Sequence, residues 1–207
     1  MTAEQTSVYT NLISLTVVAI SWCVFGYTIL FGRKPHTPEE KSSAPKSWIG
    51  LALQLAGTGI TFVLPRLPVA SPLIAEQLKA NIIFQIISIV SATLSAWLAM
   101  AAIKELGKQW SLQARVIEGH KLITTGVYGI VRHPIYTAML GMLFATGIAL
   151  SHWAALIVAL IVFLIGTRIR TDLEEGLLRN AFGEELETWK AKVPGLIPRS
   201  MRPSTRS

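Results

Sequence analysis

Two short stretches concentrate the ionisable and ring side chains of this chain. One reads Gly126-Val127-Tyr128-Gly129-Ile130-Val131-Arg132-His133-Pro134-Ile135-Tyr136; the other, about forty residues later, reads Arg170-Thr171-Asp172-Leu173-Glu174-Glu175. Both abut long apolar runs, where polar groups are costly unless they pair, face water or bind something. Arg170 and Glu174 are four apart and share a helix face. The plain reading is an ion pair worth about a few tenths of a kcal/mol. The sharper reading is a divided site: Arg170 holds an anionic group through its planar fork, and Glu174 accepts from a cationic or hydroxyl-bearing ligand. Glu175 stands beside them as a second acid. His133 is either a loop histidine at a helix start, with Pro134 at the first helical position, or a ring turned to a ligand. Tyr128 and Tyr136 are interfacial aromatics, or partners for a flat cofactor ring. His152 reads as a solvated turn residue. His36, His120, His133 and His152 show no ligand spacing such as HExxH, so no metal site is expected.

These residues need elements to position them. The chain has 207 residues, 51% hydrophobic and only 15% charged. The charged share lies well below the soluble average of roughly 25%. Several apolar runs approach the length of about 20 residues that a bilayer core requires. The spacing predicts spans at Val8–Phe31, Trp48–Leu64 and Ala80–Ile103, then two shorter runs at 135–150 and 153–166. Polar, proline-bearing loops cover 33–47 and 65–79, and a glycine-interrupted connection covers 104–133. The last two runs, about 24 and 21 Å long at about 1.5 Å per residue, are short for a core of about 30 Å. Local thinning, longer helices or a re-entrant hairpin would resolve this. The tail from Thr167 reads as an amphipathic helix to about Lys192, then an irregular basic end. On the second span Gly50, Ala52, Ala56 and Gly59 invite a close helix approach; on the third, Ser88, Ser91 and Ser95 form a small polar face.

The fold class expected is therefore all-α: one integral membrane domain over 1–207, with five transmembrane helices and a cytosolic C-terminal helix. Residues 1–103 supply three helices, 104–200 the site region, and 201–207 a basic tail. Charge bias sets the orientation. The segments 33–47, 104–133 and the tail from 168 carry 17 Lys and Arg, against Arg66 and Lys79 on the other side. The positive-inside rule then puts the N-terminus outside and the C-terminus in the cytoplasm. Met1 to Gln5 lacks the basic start of a secretory signal, so the first run is expected to be retained. The net charge of +7 is assigned to this bias, not to nucleic acid, because no basic face with interleaved aromatics lies outside the spans. Cys23 is the only cysteine, which excludes an intramolecular disulfide and a thiolate metal cluster. Only Ser151 and His152 separate the last two runs. The resulting hairpin should bring Arg132, His133 and Tyr136 beside Arg170, Glu174 and Glu175.

With these residues in view, the chain resembles the isoprenylcysteine carboxyl methyltransferase family and its phospholipid methyltransferase relatives. The resemblance rests on Leu106-Gly107-Lys108-Gln109-Trp110-Ser111, on His120-Lys121-Leu122-Ile123-Thr124-Thr125-Gly126-Val127-Tyr128, and on Arg132-His133-Pro134-Ile135-Tyr136. Arg170-x-x-x-Glu174-Glu175, Phe182-Gly183 and Leu196-Ile197-Pro198 complete it, over roughly 104–200. It implies S-adenosylmethionine as methyl donor, held at the cytoplasmic face under the C-terminal helix, with a lipidic or prenylated substrate arriving sideways from the bilayer. By position it implies a cofactor pocket lined by Gln113, His120, Lys121, Leu122, Ile123, Tyr128, His133, Pro134, Ile135, Tyr136, Glu174 and Glu175. Arg170 would orient the acceptor group and, with Glu174, carry the catalysis. The chain departs from the family at Val127, where proline is usual, and at Ala138, where glycine is common.

Transfer from a sulfonium donor asks mainly that the acceptor be held in line, about 3–3.5 Å away, with water excluded. A carboxylate acceptor is already ionised. An amine must lose a proton, which Glu174, Glu175 or His133 would take. Arg170 favours an anionic acceptor, which ranks an isoprenylcysteine carboxylate slightly ahead of phosphatidylethanolamine. A nicotinamide-dependent lipid reductase and a non-enzymatic scaffold touching membrane lipids through its basic tail are the remaining readings. The oligomeric state is left open.

Overall fold

The computed structural model describes residues 3–32, 40–66 and 78–198. Helix α1 (Ala3–Phe31) is followed by strand β1 (Glu40–Ser43) and helix α2 (Ser47–Val63). Helix α3 (Leu78–Leu106) leads through a 3-10 turn (Gly107–Gln109) to strand β2 (Arg115–Ile117) and a second 3-10 turn (Gly126–Gly129). Helices α4 (Pro134–Leu150), α5 (Trp153–Phe182) and α6 (Glu184–Lys192) complete the order. Three of these, α1, α3 and α5, are long and apolar enough to cross a membrane, whereas α2 and α4 are apolar but have 17 residues each. Most of the loop expected at 65–79, the first part of that at 33–47, and the basic end lie outside the described residues.

Helix α3 packs between α1 and α4, while α2 and α4 both pack on α5. Small side chains set the first contact. Ala92, Ala99, Ala138, Ala145 and Ala149 are all fully buried, and Ser88 and Ser91 donate to the carbonyls of Ala145 (2.8 Å) and Gly141 (3.0 Å) on α4. These hydroxyls satisfy themselves against a helix backbone, as expected of the serine face. The hairpin turn at Ser151-His152 is also present, and it is clamped from outside. Arg66 donates to the carbonyls of Ile148 (3.1 Å), Ala149 (3.0 Å) and Ser151. A cation thereby satisfies the open carbonyls at the negative end of α4.

Three expectations need correction. Separate elements were expected at 153–166 and from Thr167, yet α5 runs unbroken for 30 residues. No proline interrupts it, and Gly166 and Gly176 weaken a helix without ending it. Its length of about 45 Å at about 1.5 Å per residue removes the shortfall for this run. The helix stops at Gly183, whose φ of +51° favours a residue without Cβ. Secondly, the all-α class omits an antiparallel ribbon in which β1 pairs with β2, Glu40 opposite Ile117 and Ser43 opposite Arg115. Strands of four and three residues are too short to announce themselves by alternation. Thirdly, the close face of α2 is not Gly50, Ala52, Ala56 and Gly59. Ala52 and Ala56 are exposed; the buried stripe is Ser47, Gly50, Gln54, Gly57 and Thr61, and it meets α5.

Candidate active site

The second 3-10 turn ends in a corner that opens α4. Gly126 takes a φ of +57° with the Glu105 carboxylate against it, so a side chain has neither the conformation nor the space. His133 is the residue before the helix, and Pro134 occupies its first turn, where a missing N–H costs nothing. The corner is stitched to residues 194–196. Arg132 N–H and His133 N–H donate to the carbonyls of Pro194 (2.9 Å) and Gly195 (3.0 Å), and the Thr137 hydroxyl donates to that of Leu196 (2.7 Å).

Glu175 is the hub of an ionic cluster. Its Oε1 accepts from Arg132 Nε at 3.1 Å and lies 3.0 Å from Arg132 Nη2 and 3.1 Å from His133 Nε2. Its Oε2 lies 2.7 Å from Lys190 Nζ of α6. Arg132 Nη1 reaches on to the carbonyls of Lys190 (3.2 Å) and Val193 (2.6 Å). Thus one carboxylate and one guanidinium tie α4, α5 and α6 together. The other nitrogen of His133, Nδ1, faces Glu174 at 3.7 Å. Burial of the ring opposes its protonation, but the bonds to Glu174 and Glu175 outweigh burial and raise its pKa above 6.5.

That shift makes a stability prediction. A raised folded-state pKa contributes stability that is complete below the unfolded value of 6.5 and fades as pH climbs through the folded value. The unfolding midpoint should therefore fall as pH rises above about 6.5, and His133→Gln should flatten that dependence. Scanning calorimetry in detergent reads it; an unchanged slope in the variant would refute the assignment.

A second chain of contacts runs through Tyr136. The His133 and Tyr136 rings stack, 5.6 Å between centroids and 16° between planes. The Tyr136 hydroxyl donates to Glu174 Oε2 (2.9 Å) and accepts from Arg170 Nε (3.1 Å). Arg170 Nη2 donates to the Leu112 carbonyl at 2.6 Å, and its guanidinium carbon lies 5.2 Å from the Tyr136 ring centroid. Arg170 Nη1 is buried with no hydrogen-bond partner among the described residues. Arg170 and Glu174 therefore communicate through the tyrosine hydroxyl, and no direct ion pair joins them among the described residues. The simple i,i+4 pair of this helix is Arg168 with Asp172 at 2.9 Å, largely exposed and worth little.

One cavity gathers most of the residues singled out in the sequence. Gln113, His120, Lys121, Leu122, Ile123 and Tyr128 line it from the 104–133 connection; His133, Ile135, Tyr136, Arg170, Glu174 and Glu175 line it from the helices. Pro134 does not: it is buried at the start of α4, next to the cavity wall but not in it. Burial holds the His120 ring at a lowered pKa, and it holds the Tyr128 phenol neutral by raising its pKa further. Residues beyond those assigned to the cofactor pocket line or support the cavity. Trp189 of α6 lines it, and its indole N–H is buried without a partner among the described residues. Lys190 anchors Glu175, and Leu112 contributes a backbone carbonyl. Gln109 clasps Lys121 in both directions, accepting its N–H at 2.6 Å and donating to its carbonyl at 3.1 Å, which pins the 120–123 segment. The stripe Leu186, Trp189 and Val193, at spacings of three and four, was the available sign that α6 lies apolar side down. A backbone carbonyl such as that of Leu112 carries no sign in sequence.

Residues 83–185 match the family model described as phospholipid methyltransferase. Over that stretch, just under half of its length, the chain is similar to the phospholipid methyltransferase family. The family region opens in α3 and closes at the start of α6, so it holds Arg132, His133, Tyr136, Arg170, Glu174 and Glu175; α1, α2 and Lys190 lie outside it. Named relatives agree. The protein-S-isoprenylcysteine O-methyltransferase of Schizosaccharomyces pombe is 28% identical over 107 residues, 51% of this chain and 45% of that protein. A probable protein-S-isoprenylcysteine O-methyltransferase of Oryza sativa is 27% identical over 128 residues, 61% of this chain and 67% of that one. Protein-S-isoprenylcysteine O-methyltransferase B of Arabidopsis thaliana is 32% identical over 87 residues, 42% of this chain and 44% of that one. The chain thus spans under half the length of the yeast and Arabidopsis relatives.

Proposed function

We propose that this chain is an integral membrane methyltransferase that moves a methyl group from S-adenosylmethionine to a lipidic acceptor, with an S-isoprenylcysteine carboxylate as the first choice. The observation carrying this reading is the line Arg170–Tyr136–Glu174, set in one cavity against the His133–Glu175 pair. In the proposed membrane arrangement all five helices α1 to α5 cross, with the N-terminus outside and this cavity at the cytoplasmic face under α6. At about 25 Å each, at about 1.5 Å per residue, α2 and α4 would need local thinning.

The residues fit such a cofactor. Arg170, His120 and Trp189 line the cavity, and their Nη1, Nδ1 and Nε1 atoms are buried without hydrogen-bond partners among the described residues. Buried polar groups left so are costly unless something meets them. Glu174, with its side chain 37% exposed, opens its carboxylate to the cavity instead of closing an ion pair with Arg170. Gln113, Tyr128 and the pinned 120–123 segment would complete the cofactor's surroundings. When bound, S-adenosylmethionine supplies a methyl carbon made electrophilic by its sulfonium.

The protein's part is to place the acceptor and keep water out. Two guanidinium nitrogens of Arg170 are already committed, to Tyr136 and Leu112, so the third is held rigid for an oxygen of the acceptor. Leu186 and Trp189 of α6 pack with Trp110 and Tyr128, and Trp189 lines the cavity. A carboxylate acceptor needs no proton moved. The second reading, a phosphatidylethanolamine amine, is favoured by the family description and would use Glu174 to take the proton.

Calorimetry with S-adenosylhomocysteine on the purified protein tests the reading, followed by labelled methyl transfer to S-prenylated cysteines and to phosphatidylethanolamine. No binding at about millimolar ligand, where a Kd of that order gives about −4 kcal/mol, would overturn it. Glu174→Gln should weaken S-adenosylhomocysteine binding by about 10- to 100-fold, the worth of one charged hydrogen bond. Wild-type affinity in that variant would remove Glu174 from the cofactor site.

A further inference from the structure

Helix α2 lies outside the family-matched stretch, yet it packs on the stem of the Arg170 side chain. A Cβ placed on Gly50 would lie 2.6 Å from Arg170 Cγ, 2.6 Å from the Gly166 carbonyl oxygen and 3.3 Å from Arg170 N. A Cβ on Gly166 would lie 2.5 Å from the Gly50 carbonyl oxygen and 2.8 Å from Leu53 Cβ. These are backbone-to-backbone approaches that only glycines permit. One turn on, Gln54 Nε2 donates to the Thr167 hydroxyl at 2.9 Å, with both side chains buried, which fixes the register of the two helices. The aliphatic stem of Arg170 therefore lies across the bare backbone of Gly50.

The head of Arg170 is held from the same side. Ala44 N–H, just before α2, donates to the Ala114 carbonyl at 3.0 Å, and Ala114 N–H donates to the Ser47 hydroxyl at 3.5 Å. Together with the β1–β2 ribbon, these bonds set where segment 112–115 runs. The Leu112 carbonyl on that segment receives Arg170 Nη2. Stem and guanidinium are thus both located by residues 40–54, which no family resemblance singled out.

We propose that Gly50 is a positioning residue for Arg170, and that α2 with its preceding strand is the template that aims the unpartnered Arg170 Nη1 into the cavity. This rests on the reading of Arg170 as the acceptor-orienting group. The glycine seam supplies its own control. A Cβ on Gly57 would lie 2.7 Å from the Ala159 carbonyl oxygen and 2.9 Å from Phe163 N. Gly57→Ala therefore crowds the same α2–α5 interface two turns away from Arg170.

The experiment compares Gly50→Ala with Gly57→Ala. Both should lower the unfolding midpoint. Gly50→Ala alone should cut kcat/KM for an S-prenylated cysteine by about 10- to 100-fold, the cost of displacing a positioning group by about an ångström. Its S-adenosylhomocysteine affinity should stay within about twofold, since the atoms nearest Gly50 belong to Arg170 and Gly166 and to no residue assigned to the cofactor. Equal losses of turnover in the two variants would reduce Gly50 to a packing residue and overturn the proposal. If Gly50→Ala does not fold, Ser47→Ala, which adds no volume, should produce the same split between turnover and cofactor affinity at smaller amplitude; no split overturns it. A readout without any substrate separates this from the functional reading. The 15Nε–H resonance of Arg170, bonded to Tyr136, should shift in Gly50→Ala, or in Ser47→Ala where that variant replaces it, and hold in Gly57→Ala. An unmoved resonance in that variant overturns the proposal even if methyl transfer is confirmed. A shifted one sustains the positioning claim even if the acceptor proves different.

Discussion

Arg170→Ala should lower methyl transfer by about 100- to 1,000-fold while S-adenosylhomocysteine binds within about threefold of wild type. The geometry sets this asymmetry. Arg170, which lines the cavity, uses Nε on Tyr136 and Nη2 on Leu112 to stay rigid, and leaves Nη1 without a partner among the described residues. Truncation removes an arginine buried in that wall and frees the Tyr136 hydroxyl from one of its two partners. The Glu174 side of the hydroxyl and the clasped 120–123 segment remain. Arg170→Lys should rescue little, because a point-charge ammonium cannot span Tyr136, Leu112 and an acceptor at once. Steady-state kinetics beside calorimetry decides the matter. Parallel losses in turnover and cofactor affinity would reassign Arg170 to the cofactor.

Glu175→Ala is expected to have the largest effect on stability. One carboxylate there faces Arg132, His133 and Lys190, with its side chain 16% exposed. Removing it leaves three cationic groups around a vacancy at the junction of α4, α5 and α6. Breaking a fully buried pair costs about 3–5 kcal/mol, and partial exposure brings this nearer about 2–3 kcal/mol. For a chain of this size that is a fall of roughly 5–10 °C in the unfolding midpoint. Amide hydrogens of Arg132 and His133, which donate to Pro194 and Gly195, should exchange faster, because the latch beside them has lost its anchor. Cofactor affinity should drop with it, since Trp189 reaches the cavity only while α6 is held down. Unchanged exchange at the 132–133 corner would show that backbone bonds alone hold the C-terminal segment.

Much of this arrangement was legible in the residues. The apolar runs have the length and purity that only bilayer-scale helices need, so three long helices and two shorter ones follow from hydropathy and punctuation. Two residues between the last runs force a hairpin, and the hairpin forces the His133 corner beside the acids of α5. The serine spacing on α3 announced its contact with α4 because hydroxyls in apolar surroundings must find a carbonyl.

Other features were decided only by the tertiary structure. Whether α5 breaks after Gly166 depends on what supports it there, and the support is Gly50 of a helix more than a hundred residues earlier. Arg170 and Glu174 are placed by sequence to pair, but Tyr136 from α4 intervenes and converts a surface-type ion pair into a three-membered polar line. The short ribbon, the Leu112 carbonyl and the Gln109 clasp depend on backbone groups, which are identical at every position and so leave no mark in side-chain pattern. Local periodicity determines which faces are apolar and where helices end. Which buried donor is left without a partner, and so which group meets a ligand, is settled by distances between segments far apart in the chain.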